Sequence, residues 1–559
     1  MSLLGAPRQV TRTFKNIGRI KQISSVFAKH GFQELMAKLG FARFIPEKYK
    51  RSQEENALTA PERLRMALEE LGPTFIKLGQ LLSSRSDLLP EPFVLELSKL
   101  QDHASPLPFI VIKHSLEREL EATIEEVFSS FQEEPLASAS IGQVHQARLK
   151  DGTDVVVKVQ RPGIDTLIKT DVSVLTGLAA ALEKYVPESR IISPQICVEE
   201  FFQAMSLELD FILEANNILK SQENLKNMPG IYIPQVYLQW CTNKVLVVER
   251  LHGQKMDDVQ ALTANGFDRQ RLAELTAKAF LKTALEDGFF HGDLHMGNLF
   301  ALKGLEGDAE HSKVGMIDFG IMGYLTPRAR ESLIRIFVAL SAEDYETLCM
   351  EFAELGASRG KTDFEAFQRN IQSTVAPYLG LPLGALNVGK VLIDATTVAA
   401  RHQIRIPREW MLIFKAIYTL EGTCRKLDPN FNPMPLLEAH LEPLLRPEAD
   451  WNKFSKDLLL GSRDVQTIAQ TLPRQMHWFF KRLAANGYAI EIKNSEAELD
   501  RKQSKENFQL LARALVFGAG VFGGLFSLHL AILHSSLPLK LTSVALLMYS
   551  AWNALRHLR

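Results

Sequence analysis

His291-Gly292-Asp293-Leu294-His295-Met296-Gly297-Asn298, followed twenty residues after Asn298 by Asp318-Phe319-Gly320, is the most informative part of this chain. An aspartate, four residues, an asparagine and later an Asp-Phe-Gly form the spacing with which phosphoryl-transfer enzymes hold metal ions against nucleotide phosphates. Each polar residue has a mechanical part in that chemistry. Asp318 would neutralise phosphate charge through Mg²⁺, Asn298 would hold a second ion, and Asp293 would orient the nucleophile or accept its proton. Alone, Asp-Phe-Gly marks little more than a turn after a strand. Here the apolar Val314, Met316 and Ile317 lead into it as a buried strand would. His291 and His295, four apart, fit a zinc site poorly, because that motif needs glutamate where Gly292 stands.

Phosphate chemistry also asks for a lysine on a strand. Residues 143–149 and 154–159 read as two strands joined by Lys150-Asp151-Gly152-Thr153, whose Asp-Gly chemistry is that of a hairpin turn. The second run, Val155-Val156-Val157-Lys158-Val159, carries one lysine among apolar residues, which is costly unless an anion answers it. Lys158 is therefore expected on the α and β phosphates. Residues 201–220 read as helical and carry Glu208, Asp210 and Glu214, with 210 and 214 on one face. Glu214 is the expected partner of Lys158.

Three further stretches point one way: Phe75-Ile76-Lys77-Leu78-Gly79-Gln80, Leu136-Ala137-Ser138-Ala139-Ser140-Ile141-Gly142-Gln143, and Glu208-Leu209-Asp210. With them, residues 60–430 resemble the UbiB family of atypical protein-kinase-like proteins. The resemblance implies an α+β, protein-kinase-like two-lobe fold with a family-specific N-terminal helical extension. It implies ATP or ADP with Mg²⁺ or Mn²⁺ as cofactors, and a role in ubiquinone and other prenyl-lipid metabolism. Lys77, Gly79 and Gln80 form the family's Lys-x-Gly-Gln motif, and Glu208 and Asp210 its Glu-x-Asp motif. In the family picture Lys77 reaches the nucleotide pocket beside those carboxylates, gating it, and the extension covers the face where a protein substrate would dock. Ala137, Ser138, Ala139, Ser140 and Ile141 stand where kinases place a glycine-rich phosphate loop; each Cβ restricts the positive φ angles open to glycine, so a stiffer loop is expected. The run from Val245 to the hinge places the backbone of Val248, Glu249 and Arg250 against adenine. Many relatives have prolines where this chain has Leu294 and Met296, so two loop-stiffening residues are absent.

At 559 residues the chain can bury more than one core, and a net charge of −1 gives no nucleic-acid signature. The charge is uneven: residues 1–51 hold eleven Lys or Arg against two Glu. Such a basic amphipathic arm would lie on an anionic membrane surface or pack as a helical arm, with membrane contact the favoured expectation. The first thirty residues have no continuous apolar core, so no secretory leader is expected, while an acid-poor start is compatible with a transit peptide. Cys197, Cys241, Cys349 and Cys424 show no metal or redox spacing and read as reduced structural thiols.

Residues 514–533 form twenty positions without a formal charge, long enough to cross a bilayer, and a second apolar run covers 539–555. Flanking Arg501, Lys502, Lys505, Arg513, Arg556 and Arg559 would keep both ends cytoplasmic. Gly520 and Gly524 offer a close-packing face for a homodimer. The expected organisation is a basic arm (1–60), a helical extension (61–130), a small lobe (131–250), a large lobe (251–430), a helical connector (431–509) and a transmembrane hairpin (510–556). The expected function is a membrane-anchored, Mg-ATP-dependent ATPase supporting ubiquinone biosynthesis, which makes prenylated quinone precursors in membrane lipid accessible to biosynthetic enzymes. A kinase acting on a lipid or protein and a nucleotide-binding pseudokinase scaffold are the alternatives. The expected location is a bacterial inner membrane with the kinase-like domain cytoplasmic, or alternatively a mitochondrial or plastid membrane.

Overall fold

Strand alternation sets the geometry of the small lobe. In the computed structural model, Val155, Val157 and Val159 are fully buried on one face of the strand Asp154–Gln160, which leaves Val156 and Lys158 on the other. The strand lies between Gly142–Leu149 and Val245–Glu249 in an antiparallel sheet whose far edge is Phe128–Phe131. The short strand Ala137–Ser138 also pairs with Gly142–Leu149. Helix Phe109–Leu120 closes the valine face with Ile112 and Leu116. The expected hairpin turn is present: Gly152 has φ 90°, and Thr153 N–H donates to Asp151 Oδ1 at 2.9 Å.

The structure describes residues 6–445, apart from 51–57, 84, 86–87, 101–103, 187–188, 190–192, 304–311, 343, 359–362, 380–386 and 403. The expected hairpin (510–556) and the connector beyond helix Pro433–Leu445 lie outside the described residues. Among the described residues, no helix is long and apolar enough to cross a membrane.

The C-terminal half of the basic arm packs against the helical extension. In helix Ala6–Lys29, Ile23, Val26 and Ala28 are buried in a core shared with helices Ala60–Leu71, Pro73–Ser83 and Ile164–Tyr185. Arg19 anchors it: Nη2 donates to Asp171 Oδ2 and to Leu71 O, both at 2.9 Å, and answers an aspartate that is wholly buried. Thr59 and Glu62 form a capping box that starts the following helix.

Residues 201–220 are not one helix. Helix Pro194–Glu208 stops at Leu209, whose carbonyl accepts from Gln160 Nε2 at 2.9 Å, and a second helix runs Phe211–Leu225. Asp210 is the cap of that second helix, its Oδ1 accepting from Ile212 N–H at 3.1 Å, so it does not share a helical face with Glu214.

The large lobe pairs Leu299–Lys303 with Ser312–Met316 inside a four-stranded sheet. Helices Arg269–Leu281, Pro327–Ser341, Val388–Arg401 and Arg408–Leu427 surround the largest core. The mixed helix and strand content agrees with the α+β expectation.

Candidate nucleotide site

The hairpin Leu299–Lys303/Ser312–Met316 joins the two halves of the motif. Leu299 is paired with Met316, and Ile317 N–H donates to Asn298 O at 2.9 Å, which places Asn298 beside the entry to Asp318. Asp318 has φ 59°, a left-handed conformation that costs most L-residues energy and that aspartate tolerates better than most. Its Oδ1 accepts from Gly320 N–H at 3.3 Å. Asn217 Nδ2 donates to Phe319 O at 2.9 Å and so ties this turn to the helix bearing Glu214.

Lys158 Nζ meets both Glu214 oxygens, at 3.0 and 2.8 Å, and lies over the Phe211 ring at 5.0 Å. The lysine side chain is 27% exposed and the glutamate 8%. Burial works against the lysine's charge, but the Glu214 and Asp318 carboxylates outweigh it and raise its pKa, so Lys158 stays protonated. Burial likewise opposes charge on Asp318. Lys158, His291, the Gly320 N–H and Lys77 overcome that penalty and hold its carboxyl below the ordinary value. Lys77 pairs with Glu208 at 3.1 Å. Two ammoniums therefore face three carboxyl groups in one small region.

Gly79 and Gln80 hold the helix that carries Lys77. A Cβ at Gly79 would overlap Leu100 and come within 2.9 Å of Leu68 Cδ1, and Gln80 Nε2 donates to Leu100 O at 3.2 Å. Both residues thus pack the helix against Leu100.

The loop 291–298 is braced without the two prolines. Asp293 N–H donates to His291 Nδ1 at 3.1 Å, Gly297 N–H to His295 Nδ1 at 3.1 Å, and Asn298 Nδ2 to Asp293 O at 3.1 Å. Leu294 and Met296, which occupy the proline positions, are buried in the large core. Apolar anchoring and side-chain hydrogen bonds thus supply the order that proline would have given.

The loop Ala137–Ile141, expected to hold phosphates, is tied down by a residue that sequence reasoning missed. Arg161 Nε donates to Ala139 O at 2.8 Å, and its Nη2 donates to Ser138 Oγ and Ser105 O, each at 2.8 Å. Ala137 and Ser138 are already paired with Val144 and Gln143, Arg161 N–H donates to Ile141 O, and Ser140 is buried. The only sequence signal was an arginine three residues past Lys158. At the hinge, Glu249 N–H donates to Gln235 O at 2.8 Å and Arg250 N–H to Asp154 O at 3.0 Å, so adenine contacts there would fall to other backbone groups. Those two donors are spent inside the fold, because Arg250 continues the pairing of Val248 and Glu249 with Val156 and Val155. The Glu249 carboxylate is likewise held by Tyr232 OH at 2.8 Å.

The donor set fits a hard divalent cation. Asp318 offers a carboxylate, and Asn298, with its Nδ2 committed to Asp293 O, offers Oδ1. No group of three or more His, Cys, Asp or Glu able to hold a metal occurs among the described residues. A metal here would need phosphate oxygens to complete its shell, as Mg²⁺ in nucleotide sites does. Bound there, Mg²⁺ would neutralise phosphate charge.

A Pseudomonas paraeruginosa protein named probable protein kinase UbiB is 36% identical over 421 residues, covering 75% of this chain and 78% of that one. The chain belongs to the UbiB family. The ABC1 atypical kinase-like domain matches residues 99–351 and the UbiB helical domain residues 371–432. A probable protein kinase UbiB of Shewanella putrefaciens is 32% identical over 464 residues, 82% of this chain and 83% of its own. A Clostridium pasteurianum protein, described as uncharacterized and encoded in the 5' region of hydrogenase 1, is 33% identical over 511 residues, 90% and 92% of the two chains. A Mycobacterium tuberculosis protein solved as an erythromycin complex is 25% identical, with TM-score 0.41, covering 66% of this chain and 96% of that one. Membership of this kinase-like UbiB family implies nucleotide and metal use in general.

Proposed function

We propose that the chain is a membrane-anchored, Mg-ATP-dependent kinase-like ATPase that supports ubiquinone biosynthesis by making prenylated precursors accessible to partner enzymes. The observation that carries the reading is the Lys77–Glu208 pair at 3.1 Å, next to Lys158, Glu214 and Asp318. It brings the extension beside the residues that this reading assigns to nucleotide and metal. A helix held there by Gly79 packing supports a reading in which a small acceptor, not a folded protein, meets the nucleotide. In this reading Lys158, aligned by Glu214, positions the α and β phosphates, and Asp318 and Asn298 hold the metal. Asp293 orients the attacking group. The anchor rests on the apolar run 514–533 of the sequence alone.

A second reading, a kinase for a lipid-like alcohol or a protein, is favoured by one feature. The Asp293 side chain is 28% exposed, so an acceptor hydroxyl can reach it.

The test is phosphate release from Mg-ATP by the full-length protein in liposomes, with and without a prenylated phenol. Lipid-stimulated release that is lost in Asp318→Asn supports the ATPase. Phosphorylated phenol or protein in place of free phosphate selects the kinase. Nucleotide binding without turnover under any condition sinks both and leaves the scaffold.

A further inference from the structure

Helix Arg408–Leu427 belongs to the helical domain, far in sequence from the kinase-like motifs, yet three of its residues meet the loop 291–298. Thr423 Oγ1 donates to Leu294 O at 3.0 Å. Leu412 covers Gly292 so closely that a Cβ there would lie 2.8 Å from Leu412 Cδ1. Between them in sequence, Lys415 brings its Nζ to 3.9 Å from Asp293 Oδ1. Its neighbours Phe414 and Ala416 are buried, while the Lys415 side chain is 38% exposed. The helix is thus a fixed strut, and its one residue aimed at the reacting carboxylate is a cation.

The position matters because Asp293, in the nucleotide reading, stands where an attacking oxygen meets the terminal phosphate. There the O–Pγ bond forms, the bond from Pγ to the bridging oxygen of ADP breaks, and the attacking group's proton passes to Asp293. Negative charge gathers on the non-bridging phosphoryl oxygens during that step, and a preoriented ammonium beside them lowers its energy without giving up a proton.

We propose that Lys415 is a phosphoryl-contacting residue of this site, delivered by the helical domain to the terminal phosphate of ATP. The proposal rests on the nucleotide reading above and adds a residue that neither the motifs nor the family-domain matches single out. It predicts discrimination between nucleotides, since ADP lacks the phosphate that Lys415 would touch.

The experiment compares binding of Mg-ADP and of the Mg complex of a non-hydrolysable ATP analogue to the full-length protein by calorimetry. It uses wild type, Lys415→Met, Lys415→Arg and Asp318→Asn. Lys415→Met is expected to weaken the analogue by about tenfold to a hundredfold, the worth of a charge-assisted hydrogen bond. Its ADP affinity should stay within about twofold of wild type. Lys415→Arg should recover most of the loss, which a purely packing role would not allow. Equal losses for both nucleotides, or no loss for either, overturn the proposal while the metal-dependent loss in Asp318→Asn keeps the nucleotide site standing. If Asp318→Asn also binds as wild type does, the site reading fails and Lys415 falls with it.

Discussion

Replacing Glu214 with glutamine removes one charge and keeps the side chain's shape. Lys158 then loses a partner that it meets at 3.0 and 2.8 Å, with the glutamate 8% and the lysine 27% exposed. Breaking one side of a buried ion pair costs about 3–5 kcal/mol when nothing else compensates. Here Asp318 and Glu208 still attract the ammonium, and its partial exposure screens it, so a cost of about 1–3 kcal/mol is the reasonable figure. Part of that cost appears as misplacement, because Lys158 would turn toward Asp318 and away from the phosphates. At about 1.4 kcal/mol per tenfold, Mg-ADP affinity should fall by at least a few-fold and by no more than about 150-fold, the limit in which the whole cost appears in binding. Calorimetric titration of the full-length Glu214→Gln protein measures this directly. An affinity within twofold of wild type, in a protein that melts normally, would show that Glu214 does not position Lys158 for a phosphate.

Other consequences are equally concrete. Gly79→Ala forces a methyl group into Leu100 and Leu68, and should destabilise the extension by about 1–3 kcal/mol; an unchanged melting temperature contradicts this packing account. Arg161→Met removes the guanidinium that holds Ser105, Ser138 and Ala139, so hydrogen exchange at the Ala139 and Ser140 amides should quicken; protection equal to wild type refutes the clamp. Burial pushes the Cys349 thiol up to about 12, so at pH 8 it stays protonated and should resist a thiol reagent in the native protein. Native labelling of Cys349 as fast as in denaturant would contradict that.

What could be read from the sequence was whatever is local. The turn at Asp151 and Gly152, the alternation that turns Lys158 away from three buried valines, and the apolar strand ahead of Asp318 are each specified within a few residues. The family resemblance added the extension and its lysine, and the Lys77–Glu208 contact is the kind of long-range pairing that no periodicity announces. The helix break at Leu209 escaped notice because residues 201–220 contain neither glycine nor proline. What ends the helix is tertiary: Gln160 takes the Leu209 carbonyl and Asp210 caps the next turn. Arg161 and Lys415 were missed for the same reason, since each acts on a segment distant in sequence. The engagement of the Glu249 and Arg250 N–H groups was not legible, because it comes from strand pairing that continues through the hinge. Composition left the basic arm open between a membrane surface and packing, and the Arg19–Asp171 contact that packs its C-terminal half is long-range, so no charge count announces it.

The central claim is that Asp318 and Asn298 share a metal with nucleotide phosphates, and manganese resonance tests it most directly. Free Mn²⁺ is titrated with the full-length protein, with and without ADP, in wild type and in Asp318→Asn. The account predicts that wild type captures Mn²⁺ only when ADP is present, because no group of three His, Cys, Asp or Glu among the described residues can hold a metal by itself, and that Asp318→Asn abolishes the capture. Capture that is equal without nucleotide, or undiminished in Asp318→Asn, would contradict it.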